Sequence, residues 1–156
     1  ENICKYINNF PKLKEFYQYI LSEDFAIRIK EFMNIEDYMI CNSITTRYGT
    51  SGGWLNFHMD GVGNNNEFPE YCGKAINIVW HIDGVNGSGN GGLCLTKNKN
   101  IIEDWPNGLI HESLQLQNSC LIYDTNYEIG NYHGYPPMNK NTFRSVITTQ
   151  FLPNLK

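Results

Sequence analysis

Two short stretches of the chain offer the same pair of metal-binding side chains: HMDG at residues 58–61 and HIDG at residues 81–84. Each stretch has a histidine and an aspartate two positions apart. Successive side chains of a β-strand point to opposite faces, so residues i and i+2 share one face. Either pair could therefore direct an imidazole and a carboxylate at one point, and these are ligands that a transition metal accepts.

A metal site of this kind needs a third ligand, and the chain has two further histidines, His111 and His133. Two histidines and one carboxylate on one face of the ion form the facial triad of non-haem Fe(II) oxygenases, which leaves positions open for substrate and oxygen. His111 lies in an amphipathic run, LIHESLQL, with no special neighbours. His133 comes late, in GNYHGYPP, just before a loop and a final strand-like run.

That final run contains Arg144, which follows His133 across a turn. In a hairpin-like return of the chain, the arginine would lie behind the metal, inside the fold. A buried guanidinium group needs an acidic partner, and the final run supplies none. A dicarboxylate cosubstrate would provide that partner through a bidentate pair.

The apolar pattern changes character near residue 40. Before it, helical spacing predicts two helices, over residues 11–21 and 23–34, with Pro11 in a first turn and Ser22 as an N-cap. After it, short β-type runs alternate with Gly-, Asn- and Pro-rich breakers. The pattern predicts a mainly β fold, a jelly roll buttressed by the two helices.

The bulk composition is that of an ordinary folded protein. The 156 residues are 41% hydrophobic and 18% charged, enough for one domain with a sizeable core. We expect a single domain over residues 1–156, with 1–40 as helical support and 41–153 as the β core. The net charge of −4 and the lack of basic clusters argue against a nucleic-acid partner.

The five cysteines indicate free thiols. Their number is odd and no CxxC spacing occurs, so neither a disulfide framework nor a zinc site is expected. Free thiols are typical of a reducing compartment and favour a cytoplasmic location. The apolar runs are too short to cross a membrane. The chain begins at Glu1 without a methionine, so a leader or a preceding domain could have been removed.

Four segments together resemble the 2-oxoglutarate- and Fe(II)-dependent dioxygenases, and within them the prolyl 4-hydroxylase-like branch. The resemblance covers residues 41–152, and its most specific feature is the order HxD, Gly91-Gly92, His, Arg. In that family a further strand and a loop separate the iron-binding HxD from Gly-Gly. HMDG therefore takes the iron site, and HIDG takes the end of the next strand. The segments are RYGTSGGWLNFHMD, INIVWHIDG with GNGGLCL, SCLIYDTNYEIGNYHGY and FRSVITTQF.

The resemblance implies a double-stranded β-helix (jelly-roll) core, Fe(II) as metal and 2-oxoglutarate as cosubstrate, and it leaves ascorbate open as an additional cofactor. His58, Asp60 and His133 match the iron ligands. Arg144 matches the basic residue that binds the distal carboxylate of 2-oxoglutarate. These four residues form the catalytic set that we predict.

Three further residues are candidates for the cosubstrate site. Tyr48 matches a tyrosine that points at the cosubstrate from the strand before HxD, although a core aromatic is an equal alternative. Thr148 lies four residues after Arg144 and on a strand shares its face, although a surface threonine is nearly as good an interpretation. Trp80 stands where a tyrosine often holds the distal carboxylate, and its indole N–H can donate one hydrogen bond.

The resemblance implies a hydroxylase that acts on prolyl residues of a peptide or protein, uses O₂ and releases succinate and CO₂. Two alternatives stay open: the same chemistry on a small molecule such as a free amino acid, and a non-catalytic jelly-roll binding module. The loops at 61–71 and 84–90 are candidates for substrate recognition. Three tyrosines near His133 could form an aromatic wall: Tyr127, Tyr132 and Tyr135.

Overall fold

The computed structural model describes residues 9–36, 39–58, 75–97, 109–114, 117–124 and 132–153. The chain forms two compact units. One contains the residues up to Cys41 together with those from Leu152 onward, and the other is Asn42–Phe151. The division falls close to the predicted change from helical to β structure.

The first unit contains two helices, α1 at Pro11–Ile20 and α2 at Glu23–Met33. The predicted helices were one residue longer at each C-terminus. Ser22 caps α2 as expected, because its hydroxyl accepts a hydrogen bond of 3.2 Å from the backbone N–H of Phe25. Asn34 ends α2 in the left-handed conformation, with φ 52°. Neither helix has the length and apolar character that a membrane span requires.

The second unit is a pair of antiparallel sheets, and it confirms the prediction of a mainly β jelly-roll fold. Among the described residues, one sheet has the strand order β1-β8-β3-β6 and the other β2-β7-β4-β5. Every strand pair whose register is defined is antiparallel. The strands are β1 (Met39–Thr50), β2 (Leu55–His58), β3 (Ile76–Gly84), β4 (Cys94–Thr96), β5 (Leu109–Glu112), β6 (Ser119–Asp124), β7 (Tyr132–Tyr135) and β8 (Phe143–Pro153).

The core of this unit lies between the two sheets. Val79, Tyr123 and Val146 from the first sheet are buried against Leu93, which leads into β4 of the second. Partly buried side chains from both sheets surround them: Leu55, Leu95, Leu121 and Tyr135. The sheets therefore pack face to face, as in a β-sandwich.

The central strand β3 decides which side chains face the other sheet. It pairs with β6 on one side and β8 on the other. Val79 lies opposite Thr148, and His81 lies opposite Val146. Because directly opposed residues of antiparallel strands share a face, His81 and Thr148 both lie on the face that turns toward the second sheet.

Candidate active site

Two of the predicted iron ligands lie side by side on neighbouring strands. His58 ends β2 and pairs in register with His133 of β7, and their ring centroids are 4.3 Å apart. His133 is buried, with 4% of its surface exposed. Nδ1 of His58 lies 2.7 Å from the carbonyl oxygen of Asn56. A carbonyl only accepts, so Nδ1 carries the proton and Nε2 carries the lone pair that a metal needs.

The predicted carboxylate ligand, Asp60, lies outside the described residues, and its role stays a prediction. Within the described parts of the chain, no three His, Cys, Asp or Glu side chains form a group that could hold a metal. The described donor set is therefore two imidazoles on adjacent strands, which fits two of the three positions of a facial triad.

A cavity of about 120 Å³ contains both histidines and Arg144 in its wall. It lies between the two sheets of the β unit. One part of the wall is apolar or aromatic: Leu55, Val79, Leu93, Tyr123 and Tyr135. Another part is polar: Ser43, Thr45, Arg47, Asn77, Thr148, Thr149 and Gln150. The structure thus places His58, His133, Arg144 and Thr148 of the predicted site around one space.

Arg144 is buried, with 5% of its surface exposed. Its guanidinium carbon lies 4.6 Å from the ring centroid of Tyr135, which is within cation–π range. Among the described residues there is a single ion pair, between Arg28 and Asp24 of α2. No acidic side chain in those parts of the chain therefore pairs with Arg144. Burial lowers the pKa of Arg144, Tyr135 opposes that shift through charge and hydrogen bonding, and the nearby charge of Arg47 lowers the pKa further.

The Gly91-Gly92 pair makes room for this arginine and for the backbone that follows β5. A Cβ on Gly91 would lie 3.0 Å from Cδ of Arg144 and 2.8 Å from Sδ of Met138, and its φ is +84°. A Cβ on Gly92 would lie 1.7 Å from the carbonyl oxygen of Ser113. Glycine is therefore needed at both positions, because the side chains of Arg144 and Met138 lie close to Gly91 and the backbone of Ser113 lies close to Gly92.

The second HxD copy has a different geometry. His81 lies inside β3, with 3% of its surface exposed, whereas Asp83 is exposed. The register of β3 against β8 shifts between these two residues, and Asp83 accepts a hydrogen bond of 2.8 Å from the N–H of Gly84. The bulge breaks the alternation that would have put both side chains on one face. The HIDG stretch takes the end of its strand, as the sequence predicted, because β3 ends at Gly84, which pairs there with Arg144.

Tyr48 is not brought to the cavity, which corrects the expectation for this residue. It is 69% exposed, and its ring packs against Phe143 at a centroid distance of 6.3 Å. The preceding residue, Arg47, lines the cavity instead. Strand alternation explains why Arg47 lines the cavity and Tyr48 does not, because adjacent residues of β1 point to opposite faces.

Trp80 also points away from the cavity. Its neighbour Val79 lines the space, so the indole lies on the opposite face of β3, where its N–H donates to the hydroxyl of Thr149 at 3.2 Å. The expected contact of Trp80 with the cosubstrate is therefore not supported by the geometry. Thr148 does line the cavity, but its hydroxyl donates to the carbonyl of Thr45 at 3.3 Å.

The two loops predicted for substrate recognition differ in what the structure describes. The 61–71 loop lies outside the described residues. The 84–90 loop is fastened to β5, because Ser88 Oγ and the Gly89 N–H donate to the two carboxylate oxygens of Glu112 at 2.7 and 2.8 Å. This loop therefore serves as a fixed support next to Arg144 more than as an adaptable recognition element.

The predicted aromatic wall is present in part. Tyr135 lines the cavity, Tyr132 packs against Phe57 and Cys94 in a second core cluster, and Tyr127 lies outside the described residues. Sequence reasoning missed Arg47 and the polar residues that precede it at period two, Ser43 and Thr45. The signal was the alternation of SITTRY itself, since every second residue of that run is polar and falls on one face.

No protein-family model matches the sequence, and no curated protein matches it. Solved structures do match the fold. HygX from Streptomyces hygroscopicus, determined with nickel and 2-oxoglutarate, has a TM-score of 0.63 at 9% identity over 90% of this chain and 67% of HygX. HygX has also been determined with iron, and with nickel, 2-oxoglutarate and hygromycin B.

Two further solved structures are similar in fold. An oxidoreductase of the 2OG-Fe(II) oxygenase family from Burkholderia pseudomallei has a TM-score of 0.61 at 9% identity, over 92% of this chain and 57% of that one. A Pseudomonas putida prolyl-4-hydroxylase has a TM-score of 0.50 at 11% identity, over 81% of this chain and 59% of that one. The chain thus spans about three fifths of their length, and it has the jelly-roll fold that they and HygX share.

Proposed function

We propose that the protein is an Fe(II)- and 2-oxoglutarate-dependent dioxygenase. The observation that carries the proposal is the cavity whose wall contains two paired histidines and a buried arginine. Imidazoles suit Fe(II), and a desolvated guanidinium suits a carboxylate, which it can bind through two charge-assisted hydrogen bonds. The likeness to HygX, which has been determined with iron and with 2-oxoglutarate, supports the same assignment.

His58, His133 and Asp60 are the residues we assign to the metal. The Asn56 carbonyl fixes the proton of His58 on Nδ1 and leaves Nε2 for the ion. The ring of Tyr123 packs against that of His133 at 5.1 Å and restricts its rotation. Iron and 2-oxoglutarate together supply the activation of O₂ that amino-acid side chains cannot provide, with succinate and CO₂ as co-products.

Arg144 is the residue we assign to the distal carboxylate of 2-oxoglutarate. Its stem is held next to Gly49 and Gly91, and its head lies over the Tyr135 ring. A side chain fixed this way is preorganised for its ligand, so little conformational entropy is lost when the carboxylate binds. Arg47 adds a second positive charge in the wall.

The second part of the proposal concerns the identity of the substrate. A prolyl residue of a peptide is the first candidate, which the likeness to a prolyl-4-hydroxylase supports. A polar small molecule is the second, and two observations favour it: HygX has been determined with hygromycin B, and hydroxyl and amide side chains line this cavity. A polar wall serves a peptide backbone as well, so the two candidates need an experiment.

The experiment measures succinate formation by the purified protein with Fe(II), 2-oxoglutarate and O₂, with and without added substrates. Proline-rich peptides form one panel, and free amino acids and aminoglycosides form the other. We expect one panel to raise succinate formation above the uncoupled rate, with a mass gain of one oxygen on the stimulating compound. Binding of iron and 2-oxoglutarate without succinate in any assay would favour the non-catalytic binding module and contradict the proposal.

A further inference from the structure

His81 and Arg144 both have buried polar atoms without a hydrogen-bond partner among the described residues, although Arg144 also hydrogen-bonds Tyr135. Among the described residues, neither ring nitrogen of His81 has a hydrogen-bond partner, and neither does Nε of Arg144. Both residues are at least nine-tenths buried, with 3% and 5% of their surface exposed. Unpaired buried polar groups are costly, so their occurrence side by side points to a ligand that satisfies them.

The two residues are diagonal neighbours across the β3–β8 pair. His81 lies opposite Val146, and Arg144 is two residues before Val146 on β8, so both side chains lie on one face. The charge of Arg144, after burial itself, is the second cause that holds the pKa of His81 at about 4. His81 is therefore neutral at physiological pH, with one N–H donor and one acceptor nitrogen. The histidine lies on the face of β3 that turns toward the second sheet. It is not itself a lining residue of the cavity, but it is two residues along β3 from Val79, which is.

The chemistry of the pair selects the kind of ligand. The adjacent guanidinium disfavours a metal ion on His81, since two cations repel in a medium of low polarity. Two N–H donors next to each other, one of them on a cation, match the two oxygens of a carboxylate. The nearest anion that the site is expected to hold is the distal carboxylate of the cosubstrate.

We propose that His81 is a second anchor for 2-oxoglutarate, which donates a ring N–H to the distal carboxylate that Arg144 binds. This inference rests on the proposed function. It gives the second HxD copy a role in the same site as the first, on the cosubstrate and not on the metal. It also assigns to a histidine the contact that the sequence had suggested for Trp80.

The test measures the dissociation constant of 2-oxoglutarate by calorimetry on protein loaded with Ni(II), which replaces Fe(II) and is redox-inert. His81→Leu removes the donor at similar volume, His81→Gln keeps an N–H donor, and His111→Leu is the matched control on an exposed histidine of β5. A second ligand, 2-oxopentanoate, has the same chain without the distal carboxylate. Thermal unfolding of each variant establishes that it folds.

We expect His81→Leu to weaken 2-oxoglutarate by about ten- to a hundredfold, the usual effect of a lost hydrogen bond to a charged group. His81→Gln should recover most of that loss, and His111→Leu should bind like the wild type. Binding of 2-oxopentanoate should change little in any variant, whereas a merely structural role would weaken both ligands alike.

Three outcomes would overturn the inference, and they separate it from the proposed function. Wild-type affinity for 2-oxoglutarate in His81→Leu would remove His81 from the site and leave the dioxygenase proposal intact. Equal weakening of both ligands, without recovery in His81→Gln, would make His81 a packing residue. Wild-type protein that binds Ni(II) but no 2-oxoglutarate would refute the proposed function and this inference with it.

Discussion

The two HxDG copies share three of four letters and have different environments. His58 ends a short strand next to another histidine, whereas His81 is buried in the central strand next to Arg144. A bulge separates His81 from Asp83 and turns the carboxylate to solvent. The comparison indicates that the first HxD copy is the better metal-site candidate, because a second histidine faces its histidine from a neighbouring strand.

The largest expected effect comes from removing the histidine that faces His58. His133→Ala leaves fewer than the three ligands that the proposed iron site needs, so we expect Fe(II) affinity and succinate formation to fall by at least about a hundredfold. Metal content after dialysis and succinate by chromatography measure the two effects. The control is His111→Ala, which should keep both; a His133→Ala protein that retains stoichiometric iron would contradict the ligand assignment.

The next largest effect concerns Arg144, the neighbour of His81, which we assign to the cosubstrate. Arg144→Met keeps much of the aliphatic stem next to Gly91 but removes the guanidinium. We expect a loss of roughly 2–5 kcal/mol in 2-oxoglutarate binding, because a buried charge-assisted contact disappears. Iron binding should change little, since Arg144 is not assigned to the metal. An unchanged apparent Michaelis constant for 2-oxoglutarate would refute this role.

The environment of His81 predicts a pH dependence of stability in the apo-protein. The folded pKa is about 4 against an ordinary value of 6.5, so between these pH values the unfolded chain binds more protons than the folded one. The stabilising contribution is full above about pH 6.5 and is lost as the pH falls toward 4, to a total on the order of 3 kcal/mol. Denaturant unfolding across this range should show a flatter profile for His81→Gln than for the wild type. Equal slopes would show that His81 is not buried as a neutral ring.

The smallest predicted effect separates two glycines with similar backbone angles. Gly91 and Gly52 have φ of +84° and +75°, but only Gly91 has Arg144 and Met138 within 3.1 Å of an added Cβ, whereas Gly52 has nothing within 4 Å. We expect Gly52→Ala to cost about 1 kcal/mol from the backbone alone and Gly91→Ala to cost about 1–3 kcal/mol more from overpacking. Equal free energies of unfolding would mean that the Arg144 stem shifts without cost.

The sequence predicted the fold well because its signals are local. Helical spacing with the Ser22 cap located α1 and α2 to within one residue. The β-type runs predicted the strands except β7 (Tyr132–Tyr135), which carries His133 and lies in a stretch that its Gly, Asn and Pro residues had marked as a breaker. The resemblance to the dioxygenases predicted that His58, His133 and Arg144 share one site. The structure has β2 next to β7 and places all three residues in the wall of one cavity.

The remaining errors came from strand register, which local pattern does not determine. A shift of one residue moves every side chain to the other face, and this explains why Arg47 and not Tyr48 lines the cavity. The same shift of one residue explains why Val79, and not Trp80, faces the cavity. The burial of His81 beside Arg144 depends on β3 pairing with β8 far along the chain, and no short stretch of sequence contains that information.

The most direct test of the account compares His58→Ala with His81→Ala in the anaerobic complex. Fe(II) that is chelated by the keto acid of 2-oxoglutarate gives a visible charge-transfer absorption band, which reports metal and cosubstrate together. At saturating 2-oxoglutarate we predict the band in the wild type and in His81→Ala, and its loss in His58→Ala. Loss of the band in His81→Ala with retention in His58→Ala would place the metal at the other HxDG copy and contradict the account.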